Sequence, residues 1–187
     1  MRDISDKVHG IAAQKRLLAL YISPRFDYLP IEAQRYDEPL LPYGRLILEA
    51  TGEYLGAVVF DLAAYARFGG TGTVALERSI RLFSESALTV IDGPFADPAF
   101  AALLDDLSFG PDAITVVGDS WDTFVPNARL IATANNGFRT VKWFDLHIGS
   151  AMFQLAGSPL LDEARSLDFR TSLRIAAAEF LSQPRTG

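Results

Sequence analysis

The segment from Ala113 to Phe144 constrains the fold of this chain more than any other. Ala113, Ile114, Thr115, Val116 and Val117 form a short apolar, β-branched run that stops at Gly118-Asp119-Ser120. About fifteen residues with helical spacing follow, and then a second β-branched run from Thr140 to Phe144. The pattern is one β-turn-α-β unit. A strand apolar on both faces suits a parallel sheet covered by helices, and such sheets place ligands in the loops beyond their strand ends. Asp119 is therefore the first position to weigh as a site residue.

At 187 residues the chain can build one full hydrophobic core, so a single α/β domain is expected over 1–187. Residues 1–45 read as an N-terminal helix plus a Tyr/Pro-rich arm, 46–147 as the α/β core, and 148–187 as C-terminal helices. A net charge of −6, with seventeen basic residues scattered along the chain, gives no field for a phosphate backbone, so no nucleic-acid partner is expected. No apolar stretch approaches the roughly twenty residues that span a bilayer. The start MRDISDKVHG places acids where a signal peptide needs an apolar run. No membrane association and a cytoplasmic location are the resulting expectations. The absence of cysteine excludes thiol nucleophiles, disulfides and Cys-ligated zinc or iron–sulfur centres.

In chain order, residues 4–22 carry apolar side chains at helical spacing up to Pro24. The stretch from Pro24 to Tyr43 holds four of the ten prolines, and all six tyrosines lie between Tyr21 and Tyr65. Such an arm packs across the core or offers a surface for a protein partner or for self-association. A helix at Leu41–Ala50 precedes the strand Leu55–Phe60, the glycine loop Phe68–Thr73 and a helix from Val74 to Phe83. Ala87–Ile91 is the next strand, and Asp97 caps a helix over Pro98–Leu107. Residues from about 148 to 183 read as helical, with a break at Gly157-Ser158-Pro159. The predicted architecture is a three-layer, Rossmann-like α/β fold. Its mostly parallel central sheet uses 55–60, 87–91, 113–117 and 139–144, with helices on both faces and helical N- and C-terminal extensions.

Asp61, Asp92, Asp119 and Asp145 each follow a predicted strand, so their carboxylates would converge on one sheet edge, where clustered oxygens suit magnesium. Each is equally suited to cap the following helix. Gly69, Gly70 and Gly72 would let a loop cradle an anion with backbone N–H groups, although neither a Walker lysine nor GxGxxG spacing is present. His9 and His147 are the only histidines and form no ligand motif, and Gly-x-Ser-x-Gly is absent.

Val58-Val59-Phe60-Asp61-Leu62 resembles the first motif of the haloacid dehalogenase (HAD) superfamily. Asp97-Pro98-Ala99-Phe100, through Val116-Val117-Gly118-Asp119-Ser120, to Arg139-Thr140-Val141 is similar to that family's closing section. The resemblance implies Asp61 as a phosphoryl-accepting nucleophile and Asp61, Asp119 and Asp122 as magnesium ligands. Against that pattern the general-acid position is Ala63, the usual Thr is Tyr65, and the second closing acid falls on Phe124. No lysine stands between Lys15 and Lys142, leaving Arg67, Arg78 or Arg81 as substitutes for the phosphate-binding cation. The expectation drawn from this is a non-catalytic or catalytically degenerate HAD-like protein acting in binding or regulation. The alternative is a magnesium-dependent phosphate-handling hydrolase of the same type.

Overall fold

The computed structural model describes residues 4–95, 98–104, 108–116, 130–132, 143–148, 151–163 and 166–183. In order, these form α1 (Ile4–Ala13), β1 (Leu18–Ile22), α2 (Ile31–Gln34), α3 (Leu40–Thr51), β2 (Leu55–Asp61), α4 (Leu62–Ala66) and α5 (Gly69–Phe83). Then come β3 (Leu88–Phe95), a 3₁₀ helix (Pro98–Leu104), β4 (Ala113–Val116), β5 (Leu130–Ala132), β6 (Trp143–Ile148), β7 (Ala151–Ala156), α6 (Ser158–Glu163) and α7 (Phe169–Ser182).

The strands make one sheet of order β5-β4-β3-β2-β1-β7-β6. Every neighbouring pair is parallel except β6 and β7, which are antiparallel. The α/β class and the mostly parallel sheet are thus as expected. Two apolar clusters clothe the sheet. On one face Leu18, Leu20, Ile22, Val58, Phe60, Ile91 and Ile114 pack under α3, α5 and α7. On the other, Ala19, Tyr21, Ala57, Val59, Leu88, Val90, Phe153 and Leu155 meet Val8 and Ile11 of α1. Consecutive residues of β1 and β2 alternate between the clusters and all are buried, which is why these segments show no period-two polarity.

The Rossmann-like, three-layer expectation is not supported in its finer form. From β1 to β5 the strands lie in the order in which the chain makes them. The helices after β1, β2 and β7 share one layer, since α5 and α7 both pack against α3. A doubly wound sheet instead spreads its crossover helices over both faces, whereas here the described helix on the opposite face is α1, which precedes the first strand.

Several boundaries also differ from expectation. Residues 4–22 contain a helix and then β1, separated by Lys15 at φ 55°. The helix expected throughout 148–183 begins with β7, and Leu130–Ala132 is a strand inside the predicted helical stretch. Pro98–Leu104 is 3₁₀ rather than α. In β1 every side chain is apolar and buried, and such a run carries no period to separate strand from helix. Of the expected strand at 139–144 only 143 and 144 are described, and they start β6. Asp119, Asp122, Phe124, Val117 and Val141 lie outside the described residues. No described helix is long and apolar enough to cross a membrane.

At the N-terminal end of the sheet, Asp112 fastens α1 to the strands. Its carboxylate accepts from Lys7 Nζ at 2.5 Å and from the backbone N and the hydroxyl of Thr89 at 2.9 and 3.0 Å. At the opposite end, beyond the C-termini of β1 and β2, the described residues leave a cavity.

Candidate functional site

The candidate site begins with a row of polar side chains across that C-terminal edge. Phe60 pairs with Ile22 and with Ile91, and Asp61 is the register partner of Asp92, so Ser23, Asp61 and Asp92 stand side by side on successive strands. Ser23 donates to Asp61 Oδ2 at 2.8 Å. Asp92 accepts from the Tyr21 hydroxyl at 2.8 Å through Oδ2 and from Thr115 Oγ1 at 2.7 Å through Oδ1. Thr115 in turn accepts from the backbone N–H of Gly93 at 3.0 Å. Tyr21, Asp61 and Thr115 are buried, so these bonds form in a partly water-excluded setting that strengthens each of them.

Asp61 caps a helix, one of the two readings open for it, and also lines a cavity. Its Oδ1 accepts from the backbone N–H of Ala64 at 3.1 Å, capping α4, while the same carboxylate faces a cavity of about 290 Å³. Among the described residues, Ser23 and Arg25 from the segment after β1, Ala63 and Ala64 from α4, Arg67 at its C-terminal cap, and Pro159 and Asp162 from α6 also line it. Arg25 donates to Asp162 Oδ2 at 2.5 Å and lies 3.8 Å over the Tyr28 ring. The Tyr/Pro-rich arm thus supplies a cation to the site as well as packing.

The other sequence candidates fall elsewhere. Gly69, Gly70 and Gly72 belong to the first turn of α5 and do not line the cavity. Gly69 turns the chain at φ 64°, and a Cβ on Gly72 would collide with the carbonyl oxygen of Tyr65. Tyr65, weighed as a proton donor, is buried against Phe60, and burial pushes its phenol above the ordinary range, so it keeps its proton. Arg67 reaches the cavity, whereas Arg81 pairs with Glu77 along α5. Asp145 lies inside β6 opposite Gln154, on a strand antiparallel to its neighbour, and not at the shared edge. Among the described residues no group of three or more His, Asp or Glu side chains could hold a metal ion. Sequence reasoning missed Ser23 and Arg25, whose only signal was their place just beyond an apolar run ending at Ile22.

Fold and site together define an α/β protein whose first five strands are parallel and laid down in sequence order, with carboxylates, hydroxyls and guanidiniums gathered at the strand C-termini. No family model matches the chain. It is similar to the orotidine 5′-phosphate decarboxylase of Thermomicrobium roseum, 27% identical over 165 residues that cover 80% of this chain and 56% of that protein. Among solved structures it is similar to Leishmania donovani UMP synthase, with a TM-score of 0.56, 23% identity, and coverage of 81% of this chain and 35% of that one. It is also similar to Leishmania donovani OMP decarboxylase, with a TM-score of 0.54, 23% identity, and coverage of 69% and 52%. The chain spans about half the length of these decarboxylases.

These matches overturn the HAD resemblance and the HAD-like function, catalytic or degenerate, that was drawn from it. The expectation of magnesium rested on that resemblance and on the convergence of the strand-end aspartates; the first support falls with the matches, and of the four aspartates Asp61 and Asp92 meet at the edge while Asp145 does not. The physical reason is plain: VVFDL is what a buried parallel strand ending at a helix-capping Asp looks like in any such fold, and Asp61 does cap α4.

Proposed function

We propose that this chain is an orotidine 5′-phosphate decarboxylase-like protein whose sheet is part of a barrel of alternating strands and helices. Its site at the strand C-termini takes a pyrimidine nucleoside 5′-phosphate. The single observation that carries this reading is the match over 80% of the chain to a decarboxylase of that substrate. The winding of the sheet supports it, because five parallel strands in sequence order, with the helices that follow β1 and β2 side by side in one layer, are the arrangement of part of a β/α barrel, where ligands sit at the C-terminal face. So does the chemistry of the site. Arg25 and Arg67 offer charge to a phosphate, and Asp61 and Ser23 offer acceptors and a hydroxyl to a sugar.

Decarboxylation breaks one carbon–carbon bond, releases CO₂ and leaves an electron pair on the ring carbon that a proton must quench. The experiment is to supply orotidine 5′-phosphate labelled in its carboxyl carbon and collect the CO₂ released by the wild type, Asp61→Asn and Asp92→Asn. Release that falls to background in the two variants supports the reading. Absence of both release and binding of the nucleotide by the wild type overturns it, and binding without release would leave a nucleotide-binding protein on this scaffold.

A further inference from the structure

The charge arrangement in the cavity carries one step more. Arg25 is held from two sides, by the Asp162 carboxylate at 2.5 Å and by the face of Tyr28 at 3.8 Å, so its planar fork has a set direction. Arg67 reaches the same cavity from α4, and among the described residues no ion pair engages its guanidinium. The two guanidiniums are balanced by the carboxylates of Asp61 and Asp162. Asp61 is buried, caps α4 and accepts from Ser23, so it is fixed by its own strand and helix. Asp162 differs. It stands on α6, 137 residues along the chain from Arg25, and the pair is part-exposed to water on both sides.

We propose that Arg25 and Arg67 form a two-guanidinium receptor for a terminal phosphate, and that Asp162 occupies it in the unliganded chain as an internal competitor. In bearing on the phosphate of a nucleotide, this rests on the function proposed above. A carboxylate and a phosphate present similar oxygens to a guanidinium fork, so a phosphate takes the place of Asp162 without reorienting Arg25. A monoanionic carboxylate only swaps like for like at Arg25 and gains little. A phosphate dianion brings a further charge and more oxygens, enough to engage Arg67 as well. Asp162 thereby sets a threshold that selects phosphorylated ligands over carboxylates, and ligand binding frees α6 from the segment after β1.

The test is calorimetric titration of the whole chain with ribose 5-phosphate, uridine 5′-phosphate, uridine and acetate, with circular dichroism confirming that each variant is folded. In the wild type both phosphates bind more tightly than uridine, and acetate does not compete with them. Asp162→Asn binds both phosphates about two- to fivefold more tightly, the range set by releasing an exposed ion pair. Arg25→Gln and Arg67→Gln each weaken them by about tenfold or more, consistent with loss of a charged hydrogen-bonded contact. The proposal is overturned if Asp162→Asn leaves phosphate binding unchanged or weaker, if either arginine variant binds as wild type, or if neither phosphate binds. The two readings separate cleanly. Ribose 5-phosphate binding that responds to all three substitutions, with uridine 5′-phosphate no tighter and no CO₂ release, keeps the receptor and removes the nucleotide reading. Uridine 5′-phosphate binding indifferent to the three substitutions does the reverse.

Discussion

Asp61 and Asp92 are register partners on adjacent parallel strands, and hydroxyls hold both carboxylates: Ser23 on Asp61, Tyr21 and Thr115 on Asp92. The row ties β1, β2, β3 and β4 together at the edge where the cavity opens. Asp92→Ala removes the acceptor that two buried hydroxyls share and is expected to cost about 1–3 kcal/mol in urea unfolding. Asp92→Asn keeps one acceptor oxygen and should cost less. A loss of under about 0.5 kcal/mol for the alanine variant, the range of an ordinary surface change, would show that the row does not hold the strand ends.

The glycines at the start of α5 separate by what surrounds them. Gly72→Ala would drive a methyl into the Tyr65 carbonyl where α4 turns into α5, and should destabilise by about 1–3 kcal/mol. Gly70 faces open space within the helix, so Gly70→Ala should stabilise by about 0.5–1 kcal/mol through the entropy of the unfolded chain. Thermal melts of the two variants shifting in the same direction would contradict this.

Phe153 on β7 is buried in the second apolar cluster, in a stretch that reads as helix by spacing alone. Phe153→Ala is expected to cost about 3–5 kcal/mol. A variant that unfolds at nearly the wild-type denaturant concentration would remove β7 from the core.

Asp168 caps α7 by accepting from the Thr171 backbone N–H at 3.2 Å. Its hydrogen bonds with Thr171 hold its carboxyl below the usual range. A carboxyl whose pKa is lower folded than unfolded stabilises the fold above its unfolded value of about 4 and loses that contribution as pH falls through the folded one. Wild type should therefore melt at a higher temperature than Asp168→Ala near neutral pH, and the gap should close as the solution is acidified below pH 4. A gap that is constant with pH would show that the cap does not depend on the charge.

Much of the sheet was legible in the residues. Leu55–Asp61, Leu88–Phe95 and Ala113–Val116 were expected as strands within a few residues, because β-branched runs stop at Asp-Gly or at a capping Asp. Val58, Val59 and Ile91 are buried as expected. Helices α3 and α5 carry the amphipathic spacing that their contact with one another requires. Leu18–Ile22 was not legible as a strand, since all five residues are buried and display no alternation, and in Ala151–Ala156 the alternation of exposed Met152 and half-buried Gln154 with buried Phe153 and Leu155 is too short to stand out beside the apolar helical stretch that follows it.

By itself, then, the sequence determined the α/β class, the parallel character of the central strands and the position of Asp61 at a strand end. Those follow from local patterns of burial and capping that any neighbour would satisfy. Only the tertiary structure decided the strand order and brought Ser23, Arg25, Asp92 and Asp162 to Asp61. Pairing β1 with β7 joins residues more than a hundred positions apart, and no local preference records which buried strand another will choose. The winding of the sheet, and with it the kind of site at its edge, is set by that choice.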